Sequence, residues 1–270
     1  MADTPVPYVP YRLERTIEVP ASLQDAWYSI ATGEGITAWM LPASVDEFVG
    51  GRTYLNVDEV GGADSPGIVR AWDEPSYFVY EEYWATLAGK DQSRVTPLVN
   101  EFFLTTTDRD TRVIRVVTSA FGQGEAWERH FFEINMELGW GPLFEQLRLF
   151  LTHFPGERGA RMFDHMAVSQ ASPTSAMATV LRSLGVDREG RQVKLHGFKG
   201  EVALLSDVHA VVLLDSPVHG MLSLQTFPDE NTGAFIRMAC HLYGAEAESH
   251  VKRESPVWGQ WLKDLFPAAP

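Results

Sequence analysis

The chain has 270 residues, of which 45% are hydrophobic and 21% charged, enough apolar content for a globular protein with a sizeable core and long enough for two domains. With 22 basic against 36 acidic residues its formal charge is -14, which disfavours a nucleic-acid groove or an anionic membrane surface as partner, because phosphate is repelled. Cys240 is the single cysteine, so an intrachain disulfide and a cysteine-based metal cluster are excluded.

The opening MADTPVPYVP reads as an extended lead-in without a basic segment followed by an apolar run. No stretch approaches the roughly 20 apolar residues that span a bilayer, so the expectation is a cytoplasmic protein with no membrane insertion. Tyr11 to Val19 alternate large and charged residues as a half-buried strand does, ended by Pro20. Ser22 then caps a helix whose Leu23, Ala26, Trp27 and Ile30 share a face, and a second short helix carries Ile36, Trp39 and Met40.

From Val45 to Phe121 the pattern is that of strands: VDEFV, a Gly50-Gly51 hairpin, RTYLNV, GIVRAW, the turn DEPS, YFVYEEYW, NEFFLTTT, the turn DRDT, and RVIRVVTSAF. This predicts six antiparallel strands in a meander, seven with the first. A long helical stretch, Glu125 to Phe154, follows, about 45 Å at 1.5 Å per residue, with Gly139, Gly141 and Pro142 bending it near its middle. Pro155-Gly156 marks a boundary, giving domains 1–155 and 156–270.

The second part predicts helix, sheet, helix: a helix from Ser172-Pro173 through Leu184, strands in VALLSDVHAVVLLD, HGMLSLQTF and FIRMACHLYG, and a closing helix to Phe266. The pattern Trp140-Gly-Pro-Leu-Phe-Glu-Gln-Leu against Trp258-Gly-Gln-Trp-Leu-Lys-Asp-Leu fits either an internal duplication or two unrelated amphipathic helices laid on sheets. The short linker and the apolar strands predict that the second domain packs on the first, with one sheet face left for that contact or for the second subunit of a homodimer.

Five segments in order, IEVPASLQDAWYSI, EFVGGRTYL, GIVRAWDEPSYFVYEEYW, TRVIRVVTSAF and GWGPLFEQLRLFL, resemble the START-like, or SRPBCC, superfamily, in the branch related to the activator of the heat-shock chaperone ATPase. The resemblance spans roughly residues 12–154. It implies an α+β helix-grip fold for that part, a curved antiparallel sheet around a long C-terminal helix; the second, smaller α+β domain beyond it is either a truncated repeat of the same fold or unrelated to it. It also implies a cavity for lipids or other hydrophobic molecules, and in some members cyclisation chemistry, but it supplies no catalytic motif.

Strand alternation places Phe78, Tyr80, Glu82 and Trp84 on one face, and Ile114, Val116 and Thr118 on a face of the last strand. Trp39 and Tyr54 add a rim, and Phe132, Met136, Trp140 and Leu143 form the helical wall opposite. Such a set either lines an aromatic cavity for a hydrophobic small-molecule ligand or fills that space with its own side chains. Glu82 among aromatics would be desolvated and fit for proton transfer, with Tyr80 as donor, as in a polyketide cyclase or aromatase. The alternatives are that Glu81 and Glu82 exchange faces, or that Glu82 pairs with Arg70 or Arg115.

The eight histidines show no i, i+4 helical pair and no HxH, so no metal site is encoded locally and no cofactor is expected, although strands could gather His209, His219 and His241. Ser206-Asp207-Val208-His209 is no triad, because strand neighbours point to opposite faces. Gly122-Gln123-Gly124 lacks the third glycine of a dinucleotide fingerprint. The branch resemblance alone suggests a chaperone-associated interaction module. The reading is a binding protein for an apolar ligand, with the enzyme and the chaperone-associated module as alternatives.

Overall fold

The computed structural model describes residues 8–55, 65–107, 111–229 and 231–267. The expected lead-in before Tyr8, the end of the RTYLNV strand and most of the DRDT turn lie outside the described residues. The chain divides into two compact units, Met1–Gly156 and Glu157–Pro270.

In the first unit, β1 (Val9–Val19) leads through α1 (Leu23–Ala31) and α2 (Gly33–Thr37) into β2 (Ala43–Val45), β3 (Arg52–Leu55), β4 (Ser65–Asp73) and β5 (Tyr77–Glu82). The short α3 (Trp84–Leu87) then precedes β6 (Leu98–Thr106) and β7 (Arg112–Gly122). The Ser22 hydroxyl caps α1, accepting from the Asp25 amide at 3.0 Å, and Ala26, Trp27 and Ile30 are buried. All seven strands form one sheet ordered β1-β7-β6-β5-β4-β3-β2, with antiparallel neighbours throughout. The first strand is thus hydrogen-bonded to the last, and the meander runs from there to the far edge.

The segment VDEFV is not a strand. Pairing stops at Val45, and Phe48 and Val49 stand exposed in the turn that Gly50, at φ 86°, completes. A bulge between Val69 and Ala71 also breaks the period of two in β4, so that Trp72 pairs with Phe78 and turns inward while Arg70 stays outside. Unbroken alternation would put Arg70 and Trp72 on one face.

The closing helix is interrupted. α4 (Ala126–Phe131) passes into a π-wound segment (Phe132–Glu137) and then α5 (Leu138–His153). Pro142 lies inside α5, where it has no N–H to give the fourth residue before it, and the hydrogen-bond ladder is rewound immediately upstream. The break thus falls on Phe132–Glu137, before Gly139, where the sequence pointed to Gly139 to Pro142.

The second unit begins with β8 (Arg161–Ser169), continues through α6 (Pro173–Leu184), and then runs β9 (Gln192–Leu195), β10 (Phe198–Leu205), β11 (His209–Ser216), β12 (Gly220–Asp229), β13 (Gly233–Leu242) and α7 (Ala247–Leu265). Its sheet order is β8-β13-β12-β11-β10-β9. Here too the first strand pairs with the last and a meander runs away from it, so the topology repeats that of the first unit with one strand fewer. Ala176, Met177 and Val180 of α6 and Trp258 and Leu262 of α7 share one core with Leu222, Leu224, Met238 and Cys240 of the sheet. The architecture is the helix-grip fold in both units.

Candidate functional site

The interior of the first unit is set by register. Phe78 pairs with Phe102 and Phe102 with Val116; Tyr80 pairs with Asn100 and Asn100 with Thr118; Leu104 pairs with Ile114. Directly opposed residues share a face, so these rows run across β5, β6 and β7 on the inner side, and all of these residues are buried. The rings stack: Phe78 to Tyr80 with centroids 5.4 Å apart, Tyr80 to Phe102 at 6.3 Å, and Phe102 edge-on to Trp140 of α5 at 5.9 Å. Trp140 in turn meets Phe144 at 5.4 Å. These contacts close much of the space between sheet and helix with side chains.

Into this apolar interior β5 inserts Glu82, 7% exposed and flanked across the sheet by Gly67 and Leu98. Both arginines considered as its partners are engaged elsewhere, Arg70 with Glu81 at 2.6 Å and Arg115 with Glu14 at 3.3 Å. Glu81 and Glu82 have not exchanged faces. Desolvation raises the Glu82 carboxyl to about 7, against the downward pull of the nearby Ser65 and Tyr80 hydroxyls. Ser65 acts there as a dipole at close range, since its Oγ makes no hydrogen bond of ordinary geometry. Burial and the neighbouring Glu82 push the Tyr80 phenol well above its ordinary 10.0, so it stays a donor.

Glu82 Oε1 accepts from Asn100 Nδ2 at 3.3 Å, and Asn100 Oδ1 accepts from the Thr118 hydroxyl at 2.8 Å. The hydroxyl of Thr53, buried on β3 opposite Gly67, and the indole N–H of Trp140 on the helix have no hydrogen-bond partner. The interior on this side therefore brings together the Glu82 carboxyl, the Tyr80 phenol, a Thr-Asn relay and several polar atoms without a partner.

Other expected lining residues fall outside this set. Tyr54 lies on the outer face of β3, 37% exposed, because Thr53 and Leu55 take the inner positions. Trp84 is not on the strand face, since β5 ends at Glu82 and the chain turns into α3. Its indole donates to the Thr96 carbonyl at 2.7 Å and packs on Tyr11, Trp127 and Phe131. Phe132 joins that cluster against Tyr11 at 5.5 Å. Trp39 is buried, with its N–H spent on the Ser29 carbonyl, while Met136 and Leu143 are half-buried on the helix. Asn100 and Phe102 belong to the site but were not singled out from NEFFLTTT; the alternation that found Phe78 and Tyr80 would have exposed them once β6 was paired.

The glycine loop after β7 is already filled. Buried Glu128 accepts from the amides of Gln123 and Gly124 at 3.0 and 2.8 Å and from the Tyr11 hydroxyl at 3.0 Å, which makes it a structural clasp. In the second unit the inner positions of β11 and β12 are Ala210, Val212, Leu214, Leu222 and Leu224, without a titratable group among them. His209 and His241 are not gathered: His209 pairs with Gln225 and His241 with Met221, four positions apart along β12, and His219 is exposed before it. Ser206 shapes the turn into β11, accepting from the His209 amide at 3.0 Å. Among the described residues no group of three or more His, Cys, Asp or Glu could hold a metal ion, and no helix is long and apolar enough to cross a membrane.

The class this defines is a two-unit helix-grip protein whose first unit has an aromatic, mostly apolar interior holding a buried carboxyl. No protein-family model matches the chain, and no match was found among curated proteins. Among solved structures it is similar to protein MLL2253 from Mesorhizobium loti, at 22% identity and a TM-score of 0.43, over 52% of this chain and 96% of that one. It is also similar to DynU16, a protein in the dynemicin biosynthetic locus, at 13% identity and a TM-score of 0.41, over 94% and 96%. A third is the di-domain ARO/CYC BexL from the BE-7585A biosynthetic pathway, at 12% identity and a TM-score of 0.42, over 96% and 100%.

Proposed function

We propose that the first unit binds a hydrophobic small molecule between its sheet and α5, and that Glu82 orients the ligand by hydrogen-bonding its polar group. What carries this is the Glu82 carboxyl, buried beside Tyr80, Asn100, Gly67 and Leu98 with no cation partner among the described residues. A protein that needed only a stable core would gain by an apolar residue there, because a buried carboxyl costs free energy in either protonation state. The unpartnered Trp140 N–H and Thr53 hydroxyl offer further contacts to a polar atom. Access is assigned to the rewound helix at Phe132–Glu137, whose Met136 is half-buried and whose neighbour Leu138 is exposed.

The test uses N-phenyl-1-naphthylamine, a neutral fluorescent probe, displaced by 2-naphthol. One saturable site is expected. The affinity for 2-naphthol, which donates to a carboxylate, should rise between pH 6 and pH 8 in the wild type and stay flat in Glu82→Gln. Absence of saturable binding, or an unchanged pH profile in Glu82→Gln, would overturn the reading.

A second reading is that the same interior moves protons on an aromatic or polyketide-like substrate, with Glu82 as acid or base and Tyr80 as donor. It is favoured by the value of about 7 at Glu82, which leaves both protonation states populated near neutral pH. Substrate turnover lost in Glu82→Gln with probe affinity retained would separate it from binding alone. The chaperone-associated role implied by the branch resemblance has no residue of this kind behind it.

A further inference from the structure

Glu82 is approached from one side by a hydrogen-bond chain that has a direction. Thr118 Oγ1 donates to Asn100 Oδ1 at 2.8 Å, so the amide of Asn100 presents Nδ2 to Glu82 Oε1, 3.3 Å away. All three residues are buried, Asn100 1% and Thr118 0% exposed, and register holds them in adjacent rows of three paired strands. Water is therefore not needed to complete the chain. An oxygen that accepts from an amide N–H keeps its lone pair for that bond and is a poor place for a proton. The reverse chain, Glu82 to Asn100 to Thr118, requires the amide to turn over and the carboxyl proton to sit on Oε1.

We propose that Asn100 and Thr118 are positioning residues for Glu82: their chain commits Oε1 to accept, so that the neutral acid carries its proton on Oε2, where a ligand meets the carboxyl alongside the Ser65 and Tyr80 hydroxyls, the other groups that face it. This rests on the reading of the interior as a ligand site, and it adds which oxygen meets the ligand and what selects it. Neither residue needs to touch the ligand. Thr118 acts only through Asn100, and Asn100 only through Oε1, which predicts that the hydroxyl of residue 118 matters and its methyl does not.

The experiment is carbon-detected NMR titration of the glutamate side-chain carboxyls in the full chain, with Glu82→Gln assigning the Glu82 signal. Thr118→Val keeps the shape and removes the donor. Losing the lock on the amide weakens the bond to the charged carboxylate, so the Glu82 midpoint should move upward by about one pH unit, and Thr118→Ser should restore it. Asn100→Leu should move it in the same direction. The pH profile of 2-naphthol displacement should shift with the NMR midpoint. A Glu82 midpoint that stays put in both Thr118→Val and Asn100→Leu, while Glu82→Gln still flattens the profile, overturns the positioning role and leaves the binding site standing. Absence of probe binding alongside a midpoint that moves in Thr118→Val and returns in Thr118→Ser supports the chain and overturns the ligand reading instead. A shift in Thr118→Val that Thr118→Ser fails to reverse means packing, not the hydroxyl, sets the carboxyl, and the proposal fails.

Discussion

Burial holds the Glu82 carboxyl at about 7 against an ordinary 4.5, so between those values the folded chain binds more protons than the unfolded one. Stability from this group is fully present below 4.5 and is lost as pH rises through 7; at 1.36 kcal/mol per pH unit the loss is roughly 3 kcal/mol. His209 runs the other way. Burial lowers it from 6.5 to about 4, so its contribution is present above 6.5 and lost as pH falls through 4. The two slopes oppose each other between 4.5 and 6.5, and the wild-type profile alone does not reveal either. Comparison with Glu82→Gln isolates the first: urea unfolding should find the variant close to wild type at pH 5 and more stable by about 2–3 kcal/mol at pH 8. An equal difference at both values would mean that Glu82 is not desolvated. At this scale the sequence was readable where side chains alternate on an intact strand, as at Phe78, Tyr80 and Glu82. It was not readable at Trp84, where the strand had already ended, nor at Tyr54, whose parity is set by a partner strand.

Elements were legible where one period dominates. The β1 alternation, the α1 cap at Ser22 and the α6 start at Ser172-Pro173 all stand as read. β8 was missed because RMFDHMAVS carries charge into a buried place: Asp164 has a fully buried side chain and receives Nε and Nη2 of Arg237, from β13, on one oxygen at 2.7 and 2.5 Å. Replacing Arg237 by Leu leaves that carboxylate uncompensated and should cost about 3–5 kcal/mol, while the double variant Asp164→Leu/Arg237→Leu should recover most of the loss in thermal or urea unfolding. If the double variant is as unstable as the single, the pair is not what the charge was for. Gly67 is constrained differently: a Cβ there would lie 1.9 Å from the Glu81 carbonyl oxygen and 2.4 Å from Thr53 Oγ1. β3, β4 and β5 would have to part, so Gly67→Ala should destabilise by at least about 2 kcal/mol. The closing helix calls for a kinetic measurement. Its π-wound segment, followed by Gly139, Gly141 and Pro142, has a weaker hydrogen-bond ladder than 144–153, so amides of 132–139 should exchange with solvent faster. Uniform protection across 126–153 would refute this.

At the scale of the whole chain, one topology occurs twice with different interiors, and this explains why the Trp140 and Trp258 patterns looked alike. Both tryptophans sit in the closing helix of their unit, at 3% and 0% exposure, and neither indole N–H has a hydrogen-bond partner. Their surroundings differ. Trp140 faces the aromatic row beside Glu82, Asn100 and Thr118, whereas Trp258 lies in a core of Met238, Cys240, Leu242 and Phe198. Eight aligned positions could not carry a duplication, because an amphipathic helix on any sheet repeats them; the strand orders show one topology built twice. The interior difference was out of reach of the helices altogether, since it is written in the strands that face them. It follows that the same substitution should have different consequences in the two units. Trp140→Leu removes part of the proposed ligand wall and should weaken N-phenyl-1-naphthylamine binding about tenfold or more, as loss of a buried aromatic contact does. Trp258→Leu removes only packing, and should lower stability by about 2–4 kcal/mol with the probe affinity unchanged in the fraction that remains folded. Fluorescence titration and urea unfolding of the two variants side by side decide it. Loss of probe binding in folded Trp258→Leu, with Trp140→Leu binding normally, would move the ligand site to the second unit and refute the assignment to the first.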